Sequence, residues 1–200
     1  MNIRSQFSVP DICDDQGGKV QVGNLNFNSF GAKNIFSGQI ETIKCPDDNS
    51  LVKETLNQPG NNRVLMIDAK GVDHASMVGD QIAQAALTNN WNGIIVDGFV
   101  RDIEVLKTLP IGIYAKGSIP QKTNKQGLGS LGVDIFVGGI LIQSGNWIYA
   151  DPNGWVIAKK KLSGGALFVD RVKLSFSFYD QKQLKNFHDN KNTDSKISFH

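Results

Sequence analysis

Two short apolar runs, each bounded by turn-forming residues, constrain this fold more than any other feature of the sequence. The first is Val64–Asp68 and the second is Gly93–Val100, and both are typical of buried strands. Residues 80–87 lie between them and combine apolar side chains with strong helix formers. Residues 103–109 predict a second, short helix stopped by Pro110. Strand, helix, strand, helix is the order of βαβ units and predicts an α/β fold with parallel strands.

The rest of the chain is rich in predicted strands. Residues 29–44 end in an alternation of polar and apolar side chains, which indicates a half-buried strand. A helix over 51–56 with Asn49 or Ser50 as its cap follows. Glycine occurs 21 times, against about 14 for average composition, and it separates several further short apolar segments. These segments are 111–115, 133–137, 139–142 and 154–158. We therefore expect a central β-sandwich or barrel-like sheet flanked by βα units.

Composition limits the classes of function. A chain of 200 residues, 40% hydrophobic and 20% charged, suits one globular domain. Its formal net charge of +2 gives no general field for a polyanion, so no direct nucleic-acid partner is predicted. No stretch approaches 18 uncharged apolar residues and the first seven residues lack an apolar signal core, so we predict a cytoplasmic protein without a membrane partner.

Cysteines and histidines are too few and too scattered to indicate a site. Cys13 and Cys45 have no CxxC spacing, which favours two structural thiols over a disulfide. The three histidines, His74, His188 and His200, argue against a histidine-based catalytic triad or a histidine-rich zinc site.

The C-terminal part of the chain has a different pattern, and we predict one domain over residues 1–162 with an extension of unknown role over 163–200. Alternation from Val172 to Phe178 predicts a strand within 170–179 that docks on the domain or on a neighbouring subunit, whereas the polar segment 186–200 is expected to fray.

The first candidate site is the glycine turn at Gly79, which opens the helix predicted over residues 80–87. The unpaired N–H groups of a first helical turn attract a carboxylate or a phosphate, so Gly79, Asp80, Gln81 and Ile82 are candidate binding residues. The alternative is structural: Gly79 relieves backbone strain and Asp80 only caps the helix.

The second candidate site follows the strand Gly93–Val100, where open α/β sheets bind their ligands. Arg101 offers a planar donor pair for an anion, and Asp102 offers an oxygen ligand for Mg²⁺ or Mn²⁺. The alternative is that Asp102 caps the helix from Ile103 and that Arg101 is solvated.

Together the two sites form the pattern Asp80, twenty residues, Arg101 and Asp102. This spacing spans one helix and one strand, so both loops can return to one edge of the sheet. An anion site, an arginine and two carboxylates around a divalent ion are the groups needed to hold a 2-oxo acid and stabilise an enolate.

A series of short motifs also occurs in order along the chain: NSFG at 28–31, FSGQI at 36–40, RVLMID at 63–68, GFVRD at 98–102, PIGI at 110–113, VGG at 137–139, SG at 144–145 and YADPNG at 149–154. In this order they resemble the regulator of ribonuclease activity A family. That family includes the class II 4-hydroxy-4-methyl-2-oxoglutarate/4-carboxy-4-hydroxy-2-oxoadipate aldolases. The resemblance covers about Val9 to Leu162.

The resemblance implies a swivelling β/β/α fold, like that of phosphohistidine domains, assembled as a homotrimer or a dimer of trimers with sites between subunits. It also implies that the backbone amides of residues 79–82 hold a pyruvate carboxylate, that Arg101 binds the pyruvyl oxygens, and that Asp102 anchors the metal, partly through water. The sequence departs from the family pattern at Ser144-Gly145-Asn146, where Pro-Gly-Asp is usual. No counterpart is assigned to the acidic residue that a neighbouring subunit supplies in the aldolases.

Two functions of different classes follow. The first is a metal-dependent lyase that cleaves 4-hydroxy-4-methyl-2-oxoglutarate or decarboxylates oxaloacetate through a pyruvate enolate, with Asp80 and Arg101 as catalytic residues. The second is a non-catalytic protein that binds and inhibits a ribonuclease or an RNA helicase. Retention of Asp80, Arg101 and Asp102 favours the lyase.

Overall fold

A ten-stranded mixed sheet forms the centre of the structure, a computed structural model that describes residues 7–163. The strands are β1 Val20–Val22, β2 Asn28–Ser29, β3 Phe36–Lys44, β4 Val64–Asp68, β5 Ser76–Val78, β6 Gly93–Val100, β7 Gly112–Ser118, β8 Ser130–Leu131, β9 Ile135–Val137, β10 Ile140–Ile142, β11 Trp147–Asp151 and β12 Gly154–Ala158. The α-helices are α1 Val9–Gln16, α2 Ser50–Leu56, α3 Asp80–Thr88 and α4 Ile103–Leu106, and a 3₁₀ turn spans Gly17–Lys19. β9 and β10 pair with each other as a separate two-stranded ribbon.

The predicted βαβ units form the parallel part of the sheet. β3, β4, β6 and β7 pair in parallel in that order, and β5 pairs in parallel with β6. Antiparallel strands extend this centre, with β11, β12 and β1 beyond β3 and with β2 beyond β7. The α/β class with a large central sheet is confirmed, and within residues 7–163 the sheet stays open instead of closing into a barrel.

The continuous apolar run of β4 is explained by burial on both faces of the sheet. Leu65 and Ile67 pack in the cluster that includes residues of α2 and α3, whereas Val64 and Met66 pack in a second cluster with the β9–β10 ribbon. Helices cover one face of the parallel strands and the ribbon covers the other. A strand between two such layers has no solvent-facing side, and its sequence therefore does not alternate.

Several elements were not predicted from the sequence. They include α1, which packs against β11 and β12, and the short strands β1, β2, β5 and β11. The side chain of Asp151 ties α1 to the sheet, because its Oδ2 accepts the Val9 N–H at 2.8 Å.

Asn49, one of the two predicted caps, does occupy the N-cap position of α2. Neither Asn49 nor Ser50 caps this helix with its side chain; Asp48, one residue earlier, accepts the Ser50 N–H at 2.7 Å. α4 also ends at Leu106, four residues before Pro110, and continues only as turns.

Cys13 and Cys45 are both free thiols, as predicted. None of the helices within residues 7–163 is long and apolar enough to span a membrane. The predicted strand at 170–179 and the polar segment 186–200 lie outside the described residues.

Candidate active site

Gly79 lies between β5 and α3, at the N-cap position of the helix. Its φ of −125° is extended, so relief of backbone strain does not explain this glycine. Space does: a Cβ at this position would lie 2.6 Å from Oδ2 of Asp102 and 3.0 Å from Nε of Arg101. The absence of a side chain lets the start of α3 approach the Arg101–Asp102 pair.

Arg101 and Asp102 follow β6 directly and are held at its end by the backbone. The Arg101 N–H donates to the carbonyl of Val78 at 3.0 Å, which ties the end of β6 to β5. Asp102 has left-handed backbone angles, φ 57° and ψ 41°, and the chain turns there into α4. Only a few residue types besides glycine adopt this conformation readily, and aspartate and asparagine are among them.

The side chain of Asp102 reaches α3 and does not cap α4, although the residue sits at the N-cap position of α4. Its Oδ2 accepts the Asp80 N–H at 3.3 Å and lies 3.2 Å from Nε of Arg101. The structural alternative for Asp102 is therefore correct in position, since Asp102 is the N-cap residue of α4, but its side chain makes no capping hydrogen bond. The two predicted loops do meet at one edge of the sheet.

The first N–H groups of α3 are engaged by carboxylates of the protein itself. Oδ2 of Asp102 accepts the Asp80 N–H, and Oδ1 of Asp80 accepts the Gln81 N–H at 2.7 Å. The anion site predicted at this helix terminus therefore attracts carboxylates, but a ligand carboxylate has to compete with two side chains for these donors.

A cleft of about 510 Å³ opens beside these residues. All four residues of the predicted glycine turn line it together with Arg101, and a second group completes the lining: Asn49, Lys53, Ser76, Lys122, Thr123, Asn124 and Lys125. Arg101 and the three lysines outnumber the single acidic residue of the lining, Asp80. A cleft with this balance favours an anionic ligand.

The second group was missed by the sequence analysis, in which Asn49 was considered only as a helix cap and the segment 122–125 was not singled out. The one available signal was that this segment follows β7, a parallel strand whose carboxyl end lies near the site.

Asp48 fastens the segment after Lys125 to the start of α2. Its buried carboxylate accepts the N–H groups of Gln126 and Leu128 at 2.7 and 2.9 Å, besides that of Ser50. Burial by itself raises the pKa of Asp48, but the backbone donors Leu128, Ser50 and Gln126 outweigh burial and lower the pKa to about 2. The carboxylate is therefore ionised at neutral pH.

The residues fit a divalent cation that keeps most of its own water. Within residues 7–163 no group of three or more His, Cys, Asp or Glu side chains could enclose a metal ion. Asp102 is a single, partly exposed carboxylate, and no described contact engages its Oδ1. Mg²⁺ is commonly bound through one or two carboxylates, with water and substrate as its other ligands.

Comparison with known proteins identifies one family, whose members carry names that describe different activities. The RraA-like family model, described as Aldolase/RraA, matches residues 9–157. A relative from Acinetobacter baylyi, named "Putative 4-hydroxy-4-methyl-2-oxoglutarate aldolase", is 46% identical over 162 residues, covering 78% of this chain and 95% of the relative.

Two solved structures have the same fold. One from Geobacillus kaustophilus, described as an S-adenosylmethionine:2-dimethylmenaquinone methyltransferase, is 38% identical with a TM-score of 0.76 and covers 79% of this chain and 99% of its own. The other is described as "the RNA-processing inhibitor RraA from Thermus thermophilis"; it is 31% identical with a TM-score of 0.75 and covers 82% of this chain and 97% of its own. On the family match and these identities, the chain belongs to the RraA-like, or Aldolase/RraA, family.

Proposed function

We propose that this chain is a lyase of 2-oxo acids that cleaves 4-hydroxy-4-methyl-2-oxoglutarate to pyruvate and decarboxylates oxaloacetate. The observation that carries the proposal is the close approach of Gly79, Arg101 and Asp102 next to a cationic cleft that Gly79 and Arg101 line. The name of the Acinetobacter baylyi relative supports it. A shared fold alone would not, because one fold hosts several unrelated activities.

Binding of the 2-oxo acid uses the start of α3 and Arg101. The substrate carboxylate takes N–H groups of residues 79–82, for which it competes with Asp80 and Asp102. The Arg101 guanidinium binds the pyruvyl oxygens. Its Nε contacts Asp102, and none of the described contacts engages its terminal nitrogens. A planar guanidinium that is oriented by a carboxylate binds two oxygens in a defined direction.

Both reactions share one bond cleavage. The bond between C3 and C4 of the 2-oxo acid breaks, its electron pair moves into the C2–C3 bond, and the 2-oxo oxygen becomes the enolate oxygen. Arg101 stabilises the negative charge that develops there. Asp80 lines the cleft and moves protons through water, taking the hydroxyl proton in the aldol cleavage and returning a proton to C3.

Asp102 would hold the divalent ion, Mg²⁺ or Mn²⁺. When bound, such an ion supplies Lewis-acid polarisation of the 2-oxo group. Because one carboxylate is a small ligand set, we expect weak binding of the ion by the protein alone and tighter binding with substrate present.

We also propose that the protein works in the cytoplasm as a homotrimer or a dimer of trimers, with a small 2-oxo acid as its partner. Neither a membrane nor a nucleic acid is part of the proposal.

Production of pyruvate from oxaloacetate tests the proposed function directly. Purified full-length protein with Mg²⁺ should form pyruvate well above the uncatalysed rate, and EDTA should suppress the excess. The same measurement on Asp102→Asn serves as the matched control, since asparagine keeps the size and backbone preference of Asp102. No excess pyruvate from either oxaloacetate or 4-hydroxy-4-methyl-2-oxoglutarate would contradict the proposal.

A second candidate function is the non-catalytic inhibition of a ribonuclease or an RNA helicase. The name of the Thermus structure favours it, at 31% identity. It predicts that addition of this protein lowers the cleavage rate of a purified ribonuclease, and that Asp102→Asn inhibits as well as the wild type.

A further inference from the structure

Two residues in the lining of the cleft have buried polar atoms without a partner. They are Oδ1 of Asn49 and Oγ1 of Thr123, in residues that are only 8% and 4% exposed. Within residues 7–163 one other buried side-chain atom has no hydrogen bond, Oδ2 of Asp68, and that atom lies 3.3 Å from the ammonium of Lys70. Buried polar groups nearly always have hydrogen-bond partners, so these two unpaired atoms, in residues that line the cleft, are candidates for binding a ligand there.

The chemistry of these two atoms is set by their surroundings. The amide nitrogen of Asn49 donates to the carbonyl of Met77 at 3.1 Å, and this bond fixes the orientation of the amide. Oδ1 is therefore left as an acceptor. The hydroxyl of Thr123 can both donate and accept. A ligand hydroxyl, which also does both, matches the pair.

Thr123 is anchored on both sides. Before it, the Ser76 N–H donates to the carbonyl of Gln121 at 2.7 Å and Lys122 pairs with Ser76. After it, the two backbone bonds to Asp48 hold residues 126–128. Side chains on such a braced segment are positioned before a ligand arrives, which is what a specific binding site requires.

Three lysines in the lining of the same cleft supply positive charge. Lys53, Lys122 and Lys125 line the cleft, and none of them forms an ion pair with a carboxylate among the described residues. Ammonium groups of this kind bind carboxylates.

We propose that Thr123 and Asn49 bind the hydroxyl of the substrate, and that the neighbouring lysines bind the carboxylate attached to the same carbon. This part of the cleft would recognise an α-hydroxy carboxylate, the half of the aldol substrate that departs when the bond breaks. The inference rests on the proposed function for the role of this half, but the binding itself can be measured without turnover.

The test compares two dicarboxylates that differ by one hydroxyl, citramalate and 2-methylsuccinate, by titration calorimetry on the full-length protein with Mg²⁺ present. Citramalate carries the methyl, hydroxyl and carboxylate groups of the departing half. We expect the wild type to bind citramalate about three- to tenfold more tightly, the range of a net hydrogen bond to a neutral group. Thr123→Val keeps the shape of the side chain and removes the hydroxyl, and it should reduce the preference to less than about twofold.

Two further variants complete the comparison. Thr123→Ser retains the hydroxyl and should keep the preference for citramalate. Thr108→Val changes an exposed threonine whose hydroxyl donates to the carbonyl of Val105, outside the cleft lining, and should bind as the wild type does. In turnover, Thr123→Val should raise KM for 4-hydroxy-4-methyl-2-oxoglutarate and leave KM for oxaloacetate, which has no hydroxyl, within about twofold.

Equal affinities of the wild type for both dicarboxylates would overturn the inference. A Thr123→Val variant that loses both ligands in the same proportion would overturn it too, because the residue would then shape the cleft without reading the hydroxyl. Failure of the proposed function would give a different result. A protein that prefers citramalate but forms no pyruvate would support the hydroxyl-binding site and contradict the lyase activity.

Discussion

Arg101 touches Asp102 through Nε, so its two terminal nitrogens determine how it binds a ligand. We predict that Arg101→Lys raises KM for oxaloacetate by about 10- to 100-fold, nearly as much as Arg101→Ala, because an ammonium cannot reproduce two parallel donors to two oxygens. Steady-state kinetics on both variants measure this. Wild-type kinetics in the lysine variant would mean that Arg101 provides only diffuse charge.

Asp102 carries two separable properties, a carboxylate and a left-handed backbone. Asp102→Asn keeps the backbone preference. We expect this variant to lose the pyruvate formation that depends on added Mg²⁺, while its melting temperature stays within a few degrees of the wild type. Asp102→Ala should lose the same activity and also about 1 kcal/mol or more of stability, because alanine adopts φ 57° poorly. An asparagine variant with wild-type metal-dependent turnover would remove Asp102 from the site.

Gly79 allows a clear prediction at the scale of a residue. Its backbone angles suit any residue, so an alanine there would differ only in the space that its methyl group needs. Gly79→Ala puts a methyl group against Oδ2 of Asp102 and against Nε and Cγ of Arg101, all in partly exposed side chains that can move aside. We expect the melting temperature to change by only a few degrees and kcat/KM to fall at least about tenfold, since displaced catalytic groups cost this much or more.

The matched control is Gly18→Ala, at a glycine whose added Cβ meets no atom within 4 Å and whose φ is not positive. It should leave kcat/KM unchanged. Equal kinetics in both alanine variants would mean that the approach of Gly79 to the pair has no catalytic role.

At the scale of elements, the buried carboxylate of Asp48 joins α2 to the segment at 126–128. Asp48→Asn removes an acceptor charge shared by three N–H groups, and we predict a loss of about 1–3 kcal/mol in the free energy of unfolding. Urea unfolding measures it. Asp73→Asn, at an exposed aspartate, is the control and should change this free energy by less than about 0.5 kcal/mol.

The pH dependence of this prediction follows from the sign of the shift. The pKa of Asp48 falls from 3.8 to about 2 on folding, so its contribution is fully present above pH 3.8 and is lost as the pH falls toward 2. The difference in unfolding free energy between the wild type and Asp48→Asn should therefore shrink over this interval. A difference that stays constant from pH 4 to pH 2 would contradict the role given to the carboxylate.

The elements also show where sequence patterns are informative. β4, α3 and β6 were predicted nearly to their ends, because a strand buried on both faces and a helix rich in alanine have distinct local patterns. β5 was missed because its three residues, although all buried, are too few to show a period.

The residues of the candidate site also fall into those that local sequence patterns predicted and those that they did not. Arg101 and Asp102 could be predicted, since they end a recognisable strand. Asn49 and Thr123 could not, because they meet in one cleft through contacts between segments far apart in the chain, which no local pattern records. The bond from the Ser50 N–H to Asp48 was missed for a related reason: the other partners of the Asp48 carboxylate come from residues 126–128.

At the scale of the whole molecule, the described surface presents apolar side chains that a monomer would leave in water. Phe136 and Leu141 face each other across the β9–β10 ribbon and are 62% and 57% exposed. We predict that sedimentation at micromolar concentration gives a trimer of the 21.9 kDa chain or a multiple of it. Phe136→Glu should shift the distribution toward smaller species, because a charge on such a contact has to be desolvated.

A well-behaved monomer in the same measurement would contradict the assembly and, with it, any site shared between subunits. Wild-type sedimentation of Phe136→Glu with an intact trimer would place the interface on another surface.

The lack of room for a side chain at Gly79 bears on how proteins of this fold can evolve. The Arg101–Asp102 pair sits on loops at one edge of the sheet, while the large buried clusters lie between the layers. We therefore expect one added methyl group at residue 79 to disturb the proposed chemistry and to spare folding. If the proposed lyase is correct, a single codon change at this position would turn a catalyst into an inert scaffold with little loss of stability, and that scaffold would remain free to bind other partners.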